Sequence, residues 1–334
     1  MNSQLVSLDE RAGTNVSSYT SIDDVLEASG LNFNVETVPA HDPEGQPVNG
    51  VNLIRREDNG DLLGTCGSRY NVIQNRAMFE PYARVVEDNG AKYESAGNIR
   101  GGKINWISAK LPTELNVQTA SGLDKFEQRL VMLVYHDGKR RNSYLSYNNR
   151  VVCNNMLTSL QKSSRLGMGI RHTPRWDIQL EEAESAFAQS VASMATFRDE
   201  ANNLAKIKMT EDQALMFSHR FVGKWIDDEV RDKNDKWRTD RSKTIELTKV
   251  ETLMNLFKEG IGNFGQTRYD MLNAVTEYLD HRSVKVNTNL GTRLLSNFSG
   301  TQRNLKLAAL TELQKSSGYL RKHTRIGQVH NKVS

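Results

Sequence analysis

Gln128-Arg-Leu-Val-Met-Leu-Val-Tyr-His136 and Lys139-Arg-Arg-Asn-Ser-Tyr-Leu-Ser-Tyr147, joined by Asp137-Gly138, decide the fold class of this 334-residue chain. Two strand-length runs linked by Asp-Gly form the strongest short hairpin signal in the sequence, because a two-residue turn needs backbone conformations that Asp and Gly tolerate. A second hairpin precedes it: residues 91–97 and 103–111 flank the Gly-rich turn Asn98-Ile-Arg-Gly-Gly102. A helix is expected on each side of the pair. Over residues 74–89, Met78, Tyr82, Val85 and Val86 share one face and Gly90 stops the run. Residues 151–164 read as the following helix. The order helix, hairpin, hairpin, helix predicts an α+β class, an antiparallel β-hairpin sheet backed by helices.

Upstream, residues 1–20 are polar and rich in Ser and Asn, and are expected to form a disordered arm. Ser21 before Asp23, Asp24, Val25 and Leu26 reads as an N-capped short helix ended by Gly30. Strand-period alternation follows at residues 34–38 and 51–54, with the Pro/Gly-rich stretch 43–50 between them and a turn at Asp58-Asn-Gly60. Past Pro174 the periodicity becomes helical. One long run spans 178–206, with Leu180, Ala183, Phe187, Val191, Met194 and Phe197 at helical spacing. Further helices are expected at 210–226, 241–258, 267–281 and 303–316, with the charge run 227–241 as a loop. The division is therefore an arm at 1–20, an α+β core at 21–175, an α-helical C-terminal half at 176–302 and a basic tail at 303–334.

Hydrophobic residues make up 37% and charged residues 25%, which places the chain among folded proteins rather than disordered ones. Nowhere do eighteen apolar residues run together, so no membrane helix is expected. Residues 1–12 lack a basic start and an apolar core, so no secretory signal is expected. Cys66 and Cys153 are too few for a disulfide framework, and a cytoplasmic location follows.

The net charge of +4 conceals an internal asymmetry. Residues 92–175 hold fourteen Lys/Arg against five Asp/Glu, whereas residues 1–91 hold six against fourteen. A cationic sheet with aromatic residues among its charges is a candidate polyanion-binding surface. Arg100, Lys103, Lys139, Arg140, Arg141, Arg150, Lys162, Arg165 and Arg171 are the candidate phosphate contacts. On a strand Tyr144 and Tyr147 take opposite faces, and both are candidates for base stacking. Trp106 and Tyr135 are weaker ones, since core packing accounts for Trp106.

Enzymatic chemistry finds no foothold. Gly97-Asn-Ile-Arg-Gly-Gly-Lys103 approaches a phosphate-binding loop, but Ile104 stands where Ser or Thr must hold Mg²⁺, and a strand follows instead of a helix. The seven histidines (41, 136, 172, 219, 281, 323, 330) show no metal-ligand spacing, and neither cysteine has a partner two to four residues away. Cys153 and His172 have no nucleophile motif around them. No cofactor, no metal and no catalytic residue is expected.

Gly67-Ser-Arg-Tyr-Asn-Val-Ile-Gln-Asn75, Ala96-Gly-Asn-Ile-Arg-Gly-Gly-Lys103, Arg150-Val-Val-Cys-Asn-Asn-Met-Leu157, Arg171-His-Thr173 and Asn273-Ala-Val-Thr-Glu-Tyr-Leu-Asp-His281 carry a resemblance. Together they resemble the phage/plasmid-like family known only as domain of unknown function 932, over roughly residues 65 to 310. The resemblance implies a phage or mobile-element origin and supplies no established activity. In element order alone the chain is also similar to the single-strand annealing proteins of phage recombination, which hold DNA in a basic groove as rings or filaments. The expectation is a phage-type protein that binds single-stranded DNA as a homo-oligomer and promotes annealing or recombination, with a phage or host recombination partner. The alternative is an inhibitor of a host defence or replication protein, for which the acidic first third is the cue.

Overall fold

Both hairpins form with longer arms than their sequence signals, but residues 136–141, and not Asp137-Gly138 alone, connect the second pair of strands. The structure, a computed structural model, describes residues 8–120, 122–151, 156–158, 169–192, 194–222, 240–283 and 289–315. In chain order the elements begin with α1 (Leu8–Ala12), β1 (Thr14–Asn15), α2 (Ile22–Ala28), β2 (Val35–His41), β3 (Pro47–Arg56), β4 (Leu62–Gly67) and α3 (Asn75–Asp88). Then come β5 (Lys92–Ile99), β6 (Ile104–Thr119), β7 (Gly122–Tyr135), β8 (Asn142–Arg150), β9 (Met156–Thr158) and β10 (Gly169–Ile170). The C-terminal half holds α4 (Trp176–Ala192), α5 (Met194–Lys206), α6 (Glu211–Val222), α7 (Asp240–Glu259), α8 (Arg268–Glu277), α9 (Leu290–Ser299) and α10 (Thr301–Gln314). A π-helical turn, Tyr278–Arg282, prolongs α8. The class is α+β, as expected.

The main sheet is antiparallel in the order β1-β5-β6-β7-β8-β10, with β9 also paired to β8. Its central strands are covered on both faces. Ile107, Ala109, Leu130, Met132, Val134 and Tyr144 face a core shared with Met78, Phe79 and Tyr82 of α3, the three-stranded sheet β2-β3-β4 and Leu180 of α4. Ile104, Trp106, Val131, Leu133, Tyr135 and Tyr147 face the other way, under Leu8 of α1 and Leu294 and Phe298 of α9. Alternation puts successive side chains on opposite faces, so an unbroken apolar strand such as β7 demands cover on both. The sheet is thus a middle layer, and the expected exposed basic sheet face does not exist.

The β6–β7 hairpin runs on past Pro112, where the register shifts between Lys110 and Glu114, to a tip at Thr119 opposite Gly122. A proline donates no N–H, and a bulge absorbs that loss. This extension carries Leu115, Val117 and Phe126 into the helical half, where they pack with Phe197, Ala201, Phe217, Leu253 and Tyr269. Phe126 and Phe197 meet edge to face at 5.3 Å.

Arg150, at the end of β8, fixes that junction. Its guanidinium is buried, donating to Asp124 Oδ2 at 2.6 Å and to the Ile261 carbonyl at 2.9 Å. Tyr269 of α8 donates to the same Asp124 oxygen at 2.7 Å. Gly262 has φ +74, and a Cβ there would lie 2.7 Å from an Arg150 nitrogen, so only glycine fits beside the guanidinium.

Several expectations change. Residues 8–15 belong to no disordered arm: Asp9 of α1 is fully buried, 2.9 Å from buried Arg129 and 3.0 Å from Ser95, and β1 pairs with β5. Within the expected helix 151–164, Met156–Thr158 is a strand, with Thr158 opposite Tyr147. The described residues of the run 178–206 are helical, as α4 and α5, with residue 193 between them outside the described residues. Helix α9 was not expected, although Asn289 caps it and Leu290, Leu294 and Phe298 stand at helical spacing. The helix expected at 303–316 forms as α10, and it is packed: Lys306 is buried, 2.6 Å from Asp280 and 2.7 Å from Asn297. Most of the charge run 227–241 and residues 316–334 lie outside the described residues.

Arg150→Ala leaves Asp124 buried without its countercharge, so the urea midpoint should fall by the equivalent of about 3–5 kcal/mol. Arg150→Lys should recover only part of this, because an ammonium cannot serve carboxylate and carbonyl as a fork. A wild-type midpoint in Arg150→Ala would show that the hub carries no stability.

Candidate nucleic-acid interface

Three of the basic segments meet at one end of the main sheet. Ile99 pairs with Ile104 across the first turn, and Ile104 pairs with Tyr135, so the turns holding Arg100 and Lys103 and holding Lys139, Arg140 and Arg141 are neighbours. The His136 N–H donates to the Lys103 carbonyl at 2.9 Å across the gap. Ile170 pairs with Asn142, which brings Arg171 to the same end. From β5 to β10 are four inter-strand spacings of about 4.8 Å, so the cations span roughly 19 Å.

Local chemistry builds these turns. Asp137 Oδ1 accepts from the N–H groups of Lys139 and Arg140 at 2.9 and 3.0 Å, closing the loop that Asp-Gly announced. Gly138 has φ +73, and a Cβ there would collide with the Thr65 carbonyl of β4. Glycine therefore lets the turn lie against the small sheet. Arg100, Lys139, Arg140, Arg141 and Arg171 are exposed and Lys103 is half-buried. Arg140 pairs with Asp137 at 3.5 Å and stands 5.4 Å over the Tyr135 ring. Among the described residues no carboxylate comes within ion-pair distance of the other five.

The remaining candidates lie elsewhere. Tyr144 and Tyr147 are fully buried, one in each core, and burial raises both phenols above the ordinary tyrosine range. Neither offers a ring face to a base, which corrects the stacking assignment. Trp106 and Tyr135 are buried as well. Arg150 belongs to the hub at the opposite end of β8 and corrects the phosphate-contact assignment. Lys162 and Arg165 lie outside the described residues. Of the other cations in the basic window, Arg129 is locked to Asp9, Glu10 and Glu127, and Lys110 is 2.7 Å from Glu127.

Beside the cationic end opens a cleft of about 600 Å³, lined by Gly50, Gly67, Ser68, Arg69, Tyr70, His172, Thr173 and Pro174. Two backbone crossings hold its walls: the Asn71 N–H donates to the His172 carbonyl at 3.0 Å, and His172 Nδ1 donates to the Asn71 carbonyl at 3.3 Å. Tyr70 stacks on His172 at 4.6 Å, nearly parallel. Behind them, fully buried His136 contacts His172 with ring centroids 6.4 Å apart. Asn75 spends its amide hydrogens on the Leu31 carbonyl, so its Oδ1 accepts from His136 Nε2 at 2.9 Å and Nδ1 is the unprotonated nitrogen. Burial, reinforced by His172, pushes His136 down to about 3, and burial also lowers His172. Both imidazoles are neutral at physiological pH.

Sequence reasoning passed over Ser68, Arg69 and Thr173 as site residues. They sit inside the strings 67–75 and 171–173, and only the fold shows that these strings face each other. The Arg150 and Asn273 strings meet likewise, lining a small void with Phe126 and Tyr269.

An α+β chain with this arrangement matches the family model described as Domain of unknown function (DUF932) over residues 62–310. The chain belongs to that family. No curated protein and no solved structure matches it. Among the described residues no helix is long and apolar enough to cross a membrane.

The two imidazoles make stability depend on pH. Above about 6.5 they are neutral in both folded and unfolded chains. As pH falls below that, the unfolded chain takes up protons that the folded one refuses. Stability should then drop toward about 1.4 kcal/mol per pH unit for His136, continuing down to its folded value near 3, with His172 adding in the same direction. Urea midpoints measured between pH 7 and 5 should show this slope, and His136→Gln should flatten it. An unchanged slope in the variant would remove His136 from the account.

Proposed function

We propose that the protein binds single-stranded nucleic acid along the cationic end of its main sheet and promotes strand annealing as an oligomer. One observation carries this reading: Arg100, Lys103, Lys139, Arg140, Arg141 and Arg171, drawn from three separate segments, converge over roughly 19 Å. Such a row suits the backbone of a few nucleotides. With Tyr144 and Tyr147 in the cores, the grip is on phosphates and not on base faces. A strand held by its backbone keeps its base edges free to pair, which is what annealing requires.

The inhibitor reading has less behind it. Part of the acidic first third is already paired: Asp9 and Glu10 with buried Arg129, and Asp23, Glu36 and Asp58 with Arg76, Arg55 and Arg56 at the surface.

Affinity for a short oligothymidylate should fall steeply with salt. Each phosphate neutralised on a single strand contributes about −0.7 to the log–log slope, so six cations give about −4. The triple change Lys139→Ala, Arg140→Ala, Arg141→Ala should flatten the slope by about 2 without lowering the thermal midpoint. Light scattering with and without the oligonucleotide reads the assembly. A slope near zero, or a triple variant with wild-type affinity, would remove nucleic acid from this surface.

A further inference from the structure

We propose that the cleft beside Arg69 is a phosphate-ester subsite of mononucleotide size. This deepens the nucleic-acid reading and rests on it for the strand as the natural source of the phosphate.

Its volume, about 600 Å³, lies in the usual range for small-ligand sites. Its lining offers one guanidinium, from Arg69, the hydroxyls of Ser68 and Thr173, and no carboxylate. Donors and a fixed positive charge select an anionic ligand with several acceptor oxygens, and the carboxylate that acts on Tyr70 and His172, Asp137, is itself held by Arg140. Arg69 is exposed and, among the described residues, makes no ion pair, so its charge is available. Gly50 and Gly67 leave one side free of side chains, giving room for a sugar or base beyond the phosphate.

The walls are set before any ligand arrives. The two Asn71–His172 bonds, the Tyr70–His172 stack and the Tyr70 N–H donated to the Gly67 carbonyl at 3.1 Å tie residues 67–71 to 171–173. A site that needs no ordering on binding loses less of its interaction energy. Arg171 and Arg175 flank one wall in sequence and are exposed, and the turn Lys139–Arg141 lies against the small sheet that supplies the other. A strand lying on the cationic end therefore has a phosphate pocket at its margin. His172 adds no charge, since burial keeps its imidazole neutral. Arg69 alone supplies it.

The test uses the full chain, two oligothymidylates identical except for a terminal phosphate or hydroxyl, and free adenosine monophosphate. The phosphorylated strand should bind roughly tenfold more tightly, as one charge-assisted contact allows. Adenosine monophosphate should cancel that advantage. Arg69→Gln and, more weakly, Ser68→Ala should abolish it while costing the hydroxyl-ended strand no more than one surface cation's share. Adenosine monophosphate binding with no strand effect would keep the phosphate site and make a free nucleotide its source. Monophosphate binding with no strand binding would keep the site and overturn the nucleic-acid reading. Equal strand affinities with no monophosphate binding would overturn the subsite while leaving the cationic end intact, as would a full terminal-phosphate gain in Arg69→Gln.

Discussion

A guanidinium leaves water only when carboxylates and carbonyls surround it, and among the buried arginines of this fold Arg129 and Arg150 hold the ends of the main sheet to the rest. Arg129 gathers Asp9, Glu10 and Glu127, which draws the chain's beginning onto the sheet. Arg150 gathers Asp124 and the Ile261 carbonyl, with Tyr269 on the same carboxylate, which draws helix α8 onto the far end of β8. Neither partner set tolerates removal of its cation, so the two arginines fix which segments must meet. The positive charge most suggestive of a ligand is therefore, at these two positions, internal wiring.

That wiring decides where a ligand can go. Helices, the small sheet and the first helix cover both faces of the central strands, so the proposed site falls at the sheet's end, where turns emerge. There the cations, apart from Arg140 beside Asp137, stand clear of carboxylates, and the neighbouring cleft is walled by a tyrosine–histidine stack.

The fold class was readable in the Asp-Gly and Gly-Gly turns, in Ser21 as a cap whose oxygen accepts from the Asp23 N–H, and in the α3 periodicity. Pro112 hid the second half of β6, because a bulge that tolerates proline leaves no sequence mark. The burial of Tyr144 and Tyr147 was half legible: six consecutive apolar residues in β7, Leu130 to Tyr135, already imply cover on both faces, and β8 lies beside β7. What could not be read was pairing over long range. Nothing local ties Asp9 to Arg129, Arg150 to Tyr269, or Ser68 to Thr173. The charge count located the basic window correctly but could not separate cations facing solvent from those answering a buried acid.

Two-residue strands flank the main sheet: β1 beside β5 and β10 beside β8, with β9 further along β8. Short as they are, they occupy hydrogen-bonding groups that an unprotected margin would present to a neighbouring molecule. An assembly of the proposed kind would therefore find these paired stretches of β5 and β8 already occupied, and would join its copies elsewhere.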